Sequence, residues 1–174
     1  APIREALQVL VQEGLITSEP QKGKHVRQMT GKEIYDSYVV AGILEGAGVA
    51  ESLPLWTEAN METFRSVVRQ MEGKISYATK LDELAEIDEL FHATLFMACD
   101  NTRLVEMART SCATISKYLY YQHWITMFTP REYADRHHAV AEAVYSRDVK
   151  HVETALRDHY KETGLRMAQF GKEA

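Results

Sequence analysis

From Thr30 onward the sequence carries only helical patterns, and this restricts most of the chain to an all-α fold. Apolar residues recur at the three- and four-residue spacings of a helix face, and no stretch alternates as a half-buried strand does. Capping signals mark the starts: Thr30 and Glu33 can form a capping box, Thr57 and Asp148 can cap later helices, and Pro130 suits a first turn. The pattern predicts an antiparallel bundle of about six helices. They should begin near residues 31, 57, 81, 102, 130 and 149, with the fourth running to about residue 128.

The stretch before Thr30 differs from the bundle in both pattern and charge. Its first segment opens with Pro2 and closes at Gly14, in positions typical of the start and end of a helix. Two short segments follow with Gly23 in the turn between them, which is a β-hairpin signal. The chain carries a net charge of −5, yet this stretch is net positive. We therefore expect two domains, a helix-plus-hairpin unit over 1–29 and a helical domain over 30–174.

The composition of the chain indicates the cellular compartment in which the protein is expected. Apolar residues make up 45% of the chain and charged residues 26%, as in ordinary soluble proteins. We find no apolar run that approaches membrane-spanning length and no signal-peptide pattern, so we expect no membrane association. Cys99 and Cys112 both lie in apolar helical contexts, which favours a reducing compartment. The sequence thus predicts a cytoplasmic protein that is not a generally basic nucleic-acid binder.

Four polar side chains lie on helix faces that are otherwise apolar. Asp88 and His92, one turn apart, share the face of Phe91 and Leu95, and a histidine lies on the apolar face of each of the last two helices, His137 and His159. An unpaired buried carboxylate costs several kcal/mol, so Asp88 needs a partner. Two interpretations remain open on spacing alone. The four side chains bind one divalent ion, for which three nitrogens and one oxygen favour Zn²⁺ or Ni²⁺, or they form a hydrogen-bonded polar cluster in the core.

Several segments in a fixed order resemble a known family. "PIREALQVLVQEGLI…QKGKHV" is similar to the recognition helix and wing of a winged helix-turn-helix, and "GILEGAGVAE" to the first helix of an FCD effector domain. "DELFHATLFMACDN" resembles the D-x3-H helix of that domain, and "HHAVAEAVYSRDVKHVETALRDH" its two terminal helices. Together these segments resemble the FadR subfamily of the GntR superfamily of bacterial transcription regulators. The resemblance covers essentially the whole chain.

The resemblance implies a metal site and a regulatory function. In metal-binding members the matching positions supply an Asp and three His, here Asp88, His92, His137 and His159, so the resemblance favours the metal over the polar cluster. It implies a homodimer that represses or activates transcription when a small carboxylate metabolite binds at the metal. One position departs from the family: many members carry an Arg four residues before the Glu that matches Glu45, and here that position is Ala41.

Other residues could take over the role of that arginine. On the predicted fourth helix, Arg109, Lys117 and Tyr121 are candidate effector-binding residues, with Tyr118 and Trp124 beside them. The alternative for this aromatic stripe is packing in the core or in a dimer interface.

The resemblance also assigns DNA contacts. Arg4 would lie at the start of the recognition helix, where a guanidinium can reach guanine O6 and N7 or a phosphate. The wing tip would contact phosphates through Lys22, Gly23, Lys24 and His25. Without the resemblance, Arg4 would be expected to pair with a carboxylate and the lysines to solubilise a hairpin. We expect the two preceding helices of the winged helix-turn-helix to be missing, so operator binding is predicted for the full-length protein.

Two other classes of function compete with a regulator. An Asp/His₃ metal site is chemically capable of activating water in a metalloenzyme. That interpretation needs a general acid or base beside the metal, and Glu86 and Glu89 both fall on the outer side of their helix. A metal-stabilised interaction bundle without effector response is the other alternative. We expect a regulator and no enzyme, because residues 1–29 match a DNA-reading unit that an enzyme would not need.

Overall fold

A computed structural model, which describes residues 2–173, confirms the all-α architecture. A helix and a hairpin precede a bundle of seven α-helices. The elements are α1 (Pro2–Gln12), β1 (Ile16–Glu19), β2 (Gly23–Val26), α2 (Gly31–Ser52), α3 (Glu58–Ile75), α4 (Ala85–Leu95), α5 (Thr102–Ser111), α6 (Tyr121–Trp124), α7 (Pro130–Ser146) and α8 (Val149–Ala168). The starts of α2, α3, α7 and α8 agree with the sequence because their caps are local: Thr30, Thr57 and Thr129 each form a capping box, and Asp148 accepts two backbone N–H groups.

The prediction of one continuous fourth helix, from about residue 102 to about residue 128, is wrong. Helix α5 ends at Ser111, a π-helical turn occupies Ile115–Leu119, and only four residues form α6. The Tyr120 N–H donates to the carbonyl of Ile115, five residues back. The apolar spacing of this segment does not distinguish a π-helical turn from an α-helical one. The third helix is also shorter than expected, since a 3₁₀ turn at Leu81–Leu84 precedes α4, which ends at Leu95.

The core is organised around α2, which packs against α8 and α5, while α3 packs against α4 and α7. Small residues allow α2 and α8 to approach closely. A Cβ at Gly42 would lie 2.8 Å from the Cβ of Tyr160, and one at Gly164 would lie 2.8 Å from the Cβ of Tyr38. A larger side chain at either position would therefore force the two helices apart.

Helix α2 corrects one expectation from the sequence. It lies in the one stretch within residues 2–173, Gly31–Leu55, that is long and apolar enough to cross a membrane, with a mean hydropathy of 1.2 over 18 residues. The expectation that no segment reaches this length is therefore wrong. More than half of that window, 56%, is buried inside the protein, and the core helix of a globular domain has the same length and composition.

The helix-and-hairpin unit is exposed and meets the bundle at Met29. Strands β1 and β2 pair antiparallel from Ile16 opposite Val26, and Gly23 adopts positive φ in the turn as expected. The Met29 N–H donates to the Tyr120 hydroxyl at 3.0 Å, and that hydroxyl donates to the Met29 carbonyl at 3.2 Å. Tyr120 thus attaches the segment after the π-helical turn to the junction between the unit and the bundle.

Candidate metal and ligand site

A cavity of about 260 Å³ lies inside the bundle, between α2, α4, α5, α7, α8 and the broken segment after α5. Its wall includes all four residues predicted as metal ligands and all three predicted to bind an effector, namely Asp88, His92, His137, His159, Arg109, Lys117 and Tyr121. The volume is below the range of drug-sized pockets, about 300–1,000 Å³, so the cavity suits a small metabolite.

Three helices bring the three histidines together. The imidazole centroids of His137 and His159 are 4.8 Å apart, those of His92 and His159 are 5.3 Å apart, and those of His92 and His137 are 5.7 Å apart. One nitrogen of each ring lies within 4.8 Å of the other two, so the three could bind one ion. Nothing in their sequence separation requires this proximity, because they come from α4, α7 and α8.

Two rings are oriented with a free nitrogen towards the cluster. His137 Nδ1 lies 2.8 Å from the carbonyl of Tyr133, and His92 Nδ1 lies 2.7 Å from Glu45 Oε1. Because both partners only accept, these Nδ1 atoms carry the protons and each Nε2 is left as a potential ligand. Acceptors of this kind commonly hold metal-binding imidazoles in place.

Two buried nitrogen atoms of the cluster lack a hydrogen-bond partner in the part of the chain that the structure describes. His137 Nε2 lies 3.1 Å from Asp88 Oδ1, yet it makes no hydrogen bond of acceptable geometry within residues 2–173, and neither does His159 Nδ1. Two ligand atoms that share one ion, each about 2.0–2.2 Å from it, are separated by roughly 3.0–3.4 Å. The separation of His137 Nε2 from Asp88 Oδ1 therefore fits two ligands of one ion, whereas the three histidine nitrogens, within 4.8 Å of one another, would have to move closer to share it.

The side chains of the cluster differ in their protonation states at neutral pH. Burial tends to raise the pKa of Asp88, but contact with His137 and the charge of His92 outweigh it and lower that pKa to about 2. Burial tends to lower the pKa of His92, but the Glu45 carboxylate outweighs it and raises that pKa to about 9. Burial lowers the pKa of both His137 and His159. At neutral pH the metal-free cluster thus holds an ionised Asp88, a protonated His92 and two neutral histidines.

Binding of Zn²⁺ to the metal-free protein at pH 7 is expected to release close to one proton. His92, with a pKa of about 9, must lose its second proton to become a ligand, whereas His137 and His159 are already neutral. The apparent affinity should accordingly rise about tenfold per pH unit between pH 6 and 8. Calorimetry in buffers of different ionisation enthalpy measures the proton count. A count near zero or near two would contradict this assignment of charges.

Glu45 is a site residue whose role the sequence analysis missed. The side chain is buried in α2, accepts from His92, and accepts from the Tyr160 hydroxyl at 2.7 Å. It orients an imidazole from outside the cluster. The signal was available, since Glu45 lies on an apolar helix face between Ala41 and Val49, as Asp88 does on its own helix.

The candidate effector residues lie near the opening of the cavity. Lys117 pairs with Glu89 at 3.0 Å, and both side chains are at least half exposed. Tyr121 and Trp124 line the wall, whereas Tyr118 is exposed and does not. Arg136, which the sequence analysis did not select, also lines the cavity.

The candidate DNA-binding residues lie on the exposed unit, far along the chain from the cavity residues. Arg4 is exposed on α1, and Gly23, Lys24 and His25 are exposed on β2. Lys22 pairs with Glu19 across the hairpin turn at 2.9 Å, and the Lys22 carbonyl lies 3.0 Å from His25 Nε2.

Known proteins resemble the chain in both sequence and fold. The FCD domain family model matches residues 36–162. The HTH-type transcriptional repressor RspR of Escherichia coli (strain K12) is 25% identical over 175 residues, which span 99% of this chain and 75% of that protein. The Nta operon transcriptional regulator of Aminobacter aminovorans is 27% identical over 138 residues, 78% of this chain and 62% of the regulator.

Solved structures agree on the fold. E. coli McbR/YncC superposes with a TM-score of 0.75 at 17% identity, over 97% of this chain and 79% of that one. A GntR family transcriptional regulator from Pseudomonas syringae pv. tomato str. DC3000 has a TM-score of 0.63 at 20% identity, over 97% and 69% of the two chains. The family model covers most of the chain, and the relatives are regulators and not enzymes. The chain therefore belongs to the FCD domain family, whose model matches most of it, and its curated relatives are HTH-type transcriptional regulators.

Proposed function

We propose that the helical domain of this regulator binds a divalent transition metal, Zn²⁺ or Ni²⁺, through Asp88, His92, His137 and His159. A small organic acid would bind at the ion and change the affinity of the protein for operator DNA. When bound, the ion would supply an electrophilic centre that a carboxylate can reach within the cavity. Arg109, Lys117 and Tyr121 are proposed to contact this effector.

One observation carries the proposal. Two imidazoles are held from outside by Glu45 and the Tyr133 carbonyl, while His137 Nε2 is buried beside Asp88 without a hydrogen bond of its own within residues 2–173. A polar cluster that served only the core would be expected to satisfy this nitrogen, because an unsatisfied buried group costs about 1–3 kcal/mol. An ion would satisfy it and would compensate the charge of Asp88.

The proposal also assigns DNA binding to residues 1–29, the first of the two predicted domains. Arg4, Lys22, Gly23, Lys24 and His25 are proposed to contact operator DNA in the full-length protein, which we expect to be a cytoplasmic homodimer. Support comes from the exposure of α1 and the hairpin and from the names of the relatives.

Tyr120 offers a route from the cavity to the DNA-reading unit. Ser116, Lys117 and Tyr121 line the cavity on either side of this residue, and its hydroxyl binds both backbone groups of Met29 at the junction. A ligand that binds two arrangements of this segment with different affinity would bias how the unit is held.

Metal-dependent binding of a small carboxylate tests the proposed function. We expect acetate, succinate or citrate to bind the Zn²⁺- or Ni²⁺-loaded protein, with binding lost after chelation and restored by reloading. Calorimetry and thermal shift, with chloride at equal ionic strength as the control, measure both states. A metal-loaded protein that binds none of the three acids would contradict effector binding at the ion and would favour a metal-stabilised interaction bundle.

A further inference from the structure

We propose that Arg136 is the specificity-determining residue of the cavity and selects an organic acid with two anionic groups. This inference rests on the proposed function: one carboxylate would reach the ion and the second would accept hydrogen bonds from Arg136.

Arg136 is held rigidly at the cavity wall. Its side chain is 12% exposed, its Nε donates to Glu162 at 2.9 Å, and its Nη2 donates to the His159 carbonyl and the Thr163 hydroxyl. The guanidinium carbon lies 4.0 Å above the ring centre of Phe128. Side-chain entropy has therefore been lost before any ligand arrives, which favours tight binding of a complementary group.

One edge of this guanidinium remains free. Nη1 carries two N–H groups and finds no acceptor within residues 2–173, whereas Nε and Nη2 are both engaged. A charged N–H donor in a fixed position makes a stronger hydrogen bond to a carboxylate than to a neutral group.

The charge balance of the cavity favours a dianion. Three acidic and three basic side chains line it, so a divalent ion leaves an excess of two positive charges; the six are Glu45, Asp88, Glu89, Arg109, Lys117 and Arg136. Lys117 and Glu89 pair with each other near the opening. Arg136 is the buried cation of the set, with a side chain that is 12% exposed.

Arg166 provides a matched control for Arg136. It lies 4.3 Å from the same Phe128 ring centre and donates to the same Glu162 carboxylate at 3.1 Å. It also binds Glu132, yet it does not line the cavity. Loss of either arginine removes a stacked cation and an ion pair to Glu162, but only loss of Arg136 removes a cation from the cavity wall.

The test compares diacids with their monoamides on the metal-loaded protein. The probes are malonate, succinate and glutarate, each beside the corresponding monoamide, which has the same size and one charge fewer. We expect at least one diacid to bind the parent more tightly than its monoamide. Arg136→Gln should weaken binding of that diacid by about 10- to 100-fold and leave the monoamide nearly unchanged, whereas Arg166→Gln should alter neither.

The metal content and the circular dichroism spectrum of each variant are measured alongside binding. Arg136→Lys provides a second test if Arg136→Gln fails to fold or loses the metal. Arg136→Lys should keep the preference for the diacid with reduced affinity, because it keeps the charge and loses the fixed position of the guanidinium donor. Equal binding of diacid and monoamide by the parent, or equal effects of Arg136→Gln and Arg166→Gln, would overturn the inference and leave the proposed function standing. Failure of every carboxylate to bind the metal-loaded parent would overturn both.

Discussion

The double variant Asp88→Ala/His159→Ala is expected to lose bound metal, while the parent retains close to one equivalent of Zn²⁺ or Ni²⁺ after dialysis. The substitution removes one oxygen and one nitrogen from a set of four ligand candidates. Loss of groups that only orient a ligand costs about 10- to 100-fold in metal affinity, so loss of two direct ligands should cost at least that much. Elemental analysis of the dialysed protein measures the result.

The control for this variant is Asp158→Ala/His138→Ala. It likewise removes one carboxylate and one imidazole, here from α8 and α7, but both side chains are exposed, and His138 faces Glu72 at 3.3 Å. We expect the control to keep its metal. A parent that takes up neither Zn²⁺ nor Ni²⁺ when supplied, or a double variant that binds as well as the parent, would show that the four residues are a buried polar network.

Phe91→Ala is expected to lower the free energy of unfolding by about 3–5 kcal/mol, a large part of the 5–15 kcal/mol typical of a whole domain. Phe91 is fully buried, and its ring centre lies 5.4 Å from that of Phe64, 5.5 Å from that of His92 and 5.0 Å from that of His137. The truncation leaves a cavity next to two histidines, so metal affinity should fall along with stability.

Denaturant unfolding with a chelator present measures this effect free of any stabilisation by bound metal. Leu90→Ala is the control, because the neighbouring side chain is 42% exposed and its loss should cost less than about 1 kcal/mol. Equal losses in the two variants would mean that the aromatic cluster around Phe91 does not support the fold as its packing implies.

Much of the helical framework could be predicted from the sequence, because its signals are local. Thr30, Thr57, Thr129 and Asp148 each hydrogen-bond a backbone N–H two or three residues ahead, so the start of a helix is encoded where it occurs. The broken fourth helix could not be predicted in this way. The π-helical turn at Ile115–Leu119 is linked to a contact between Tyr120 and Met29, which are 91 residues apart.

The residues of the candidate site also differ in whether the sequence could identify them. Asp88, His92, His137 and His159 could be selected from sequence because a polar residue on an apolar helix face needs a partner. The same argument applied to Glu45 would have selected it too. Arg136 could not be found, since a single arginine beside two histidines in α7 has no periodicity that separates a cavity wall from a solvated face.

The sequence by itself determined where the capped helices start and which four polar side chains lie on apolar helix faces, because these properties depend on neighbours within about one helical turn. Only the tertiary structure decided that three histidines from α4, α7 and α8 meet, that Glu45 holds one of them, and that Arg136, whose Nη1 has no acceptor within residues 2–173, lines the cavity. The physical reason is that such contacts depend on how helices pack, through close approaches such as that of Gly42 to Tyr160, and no local pattern specifies them.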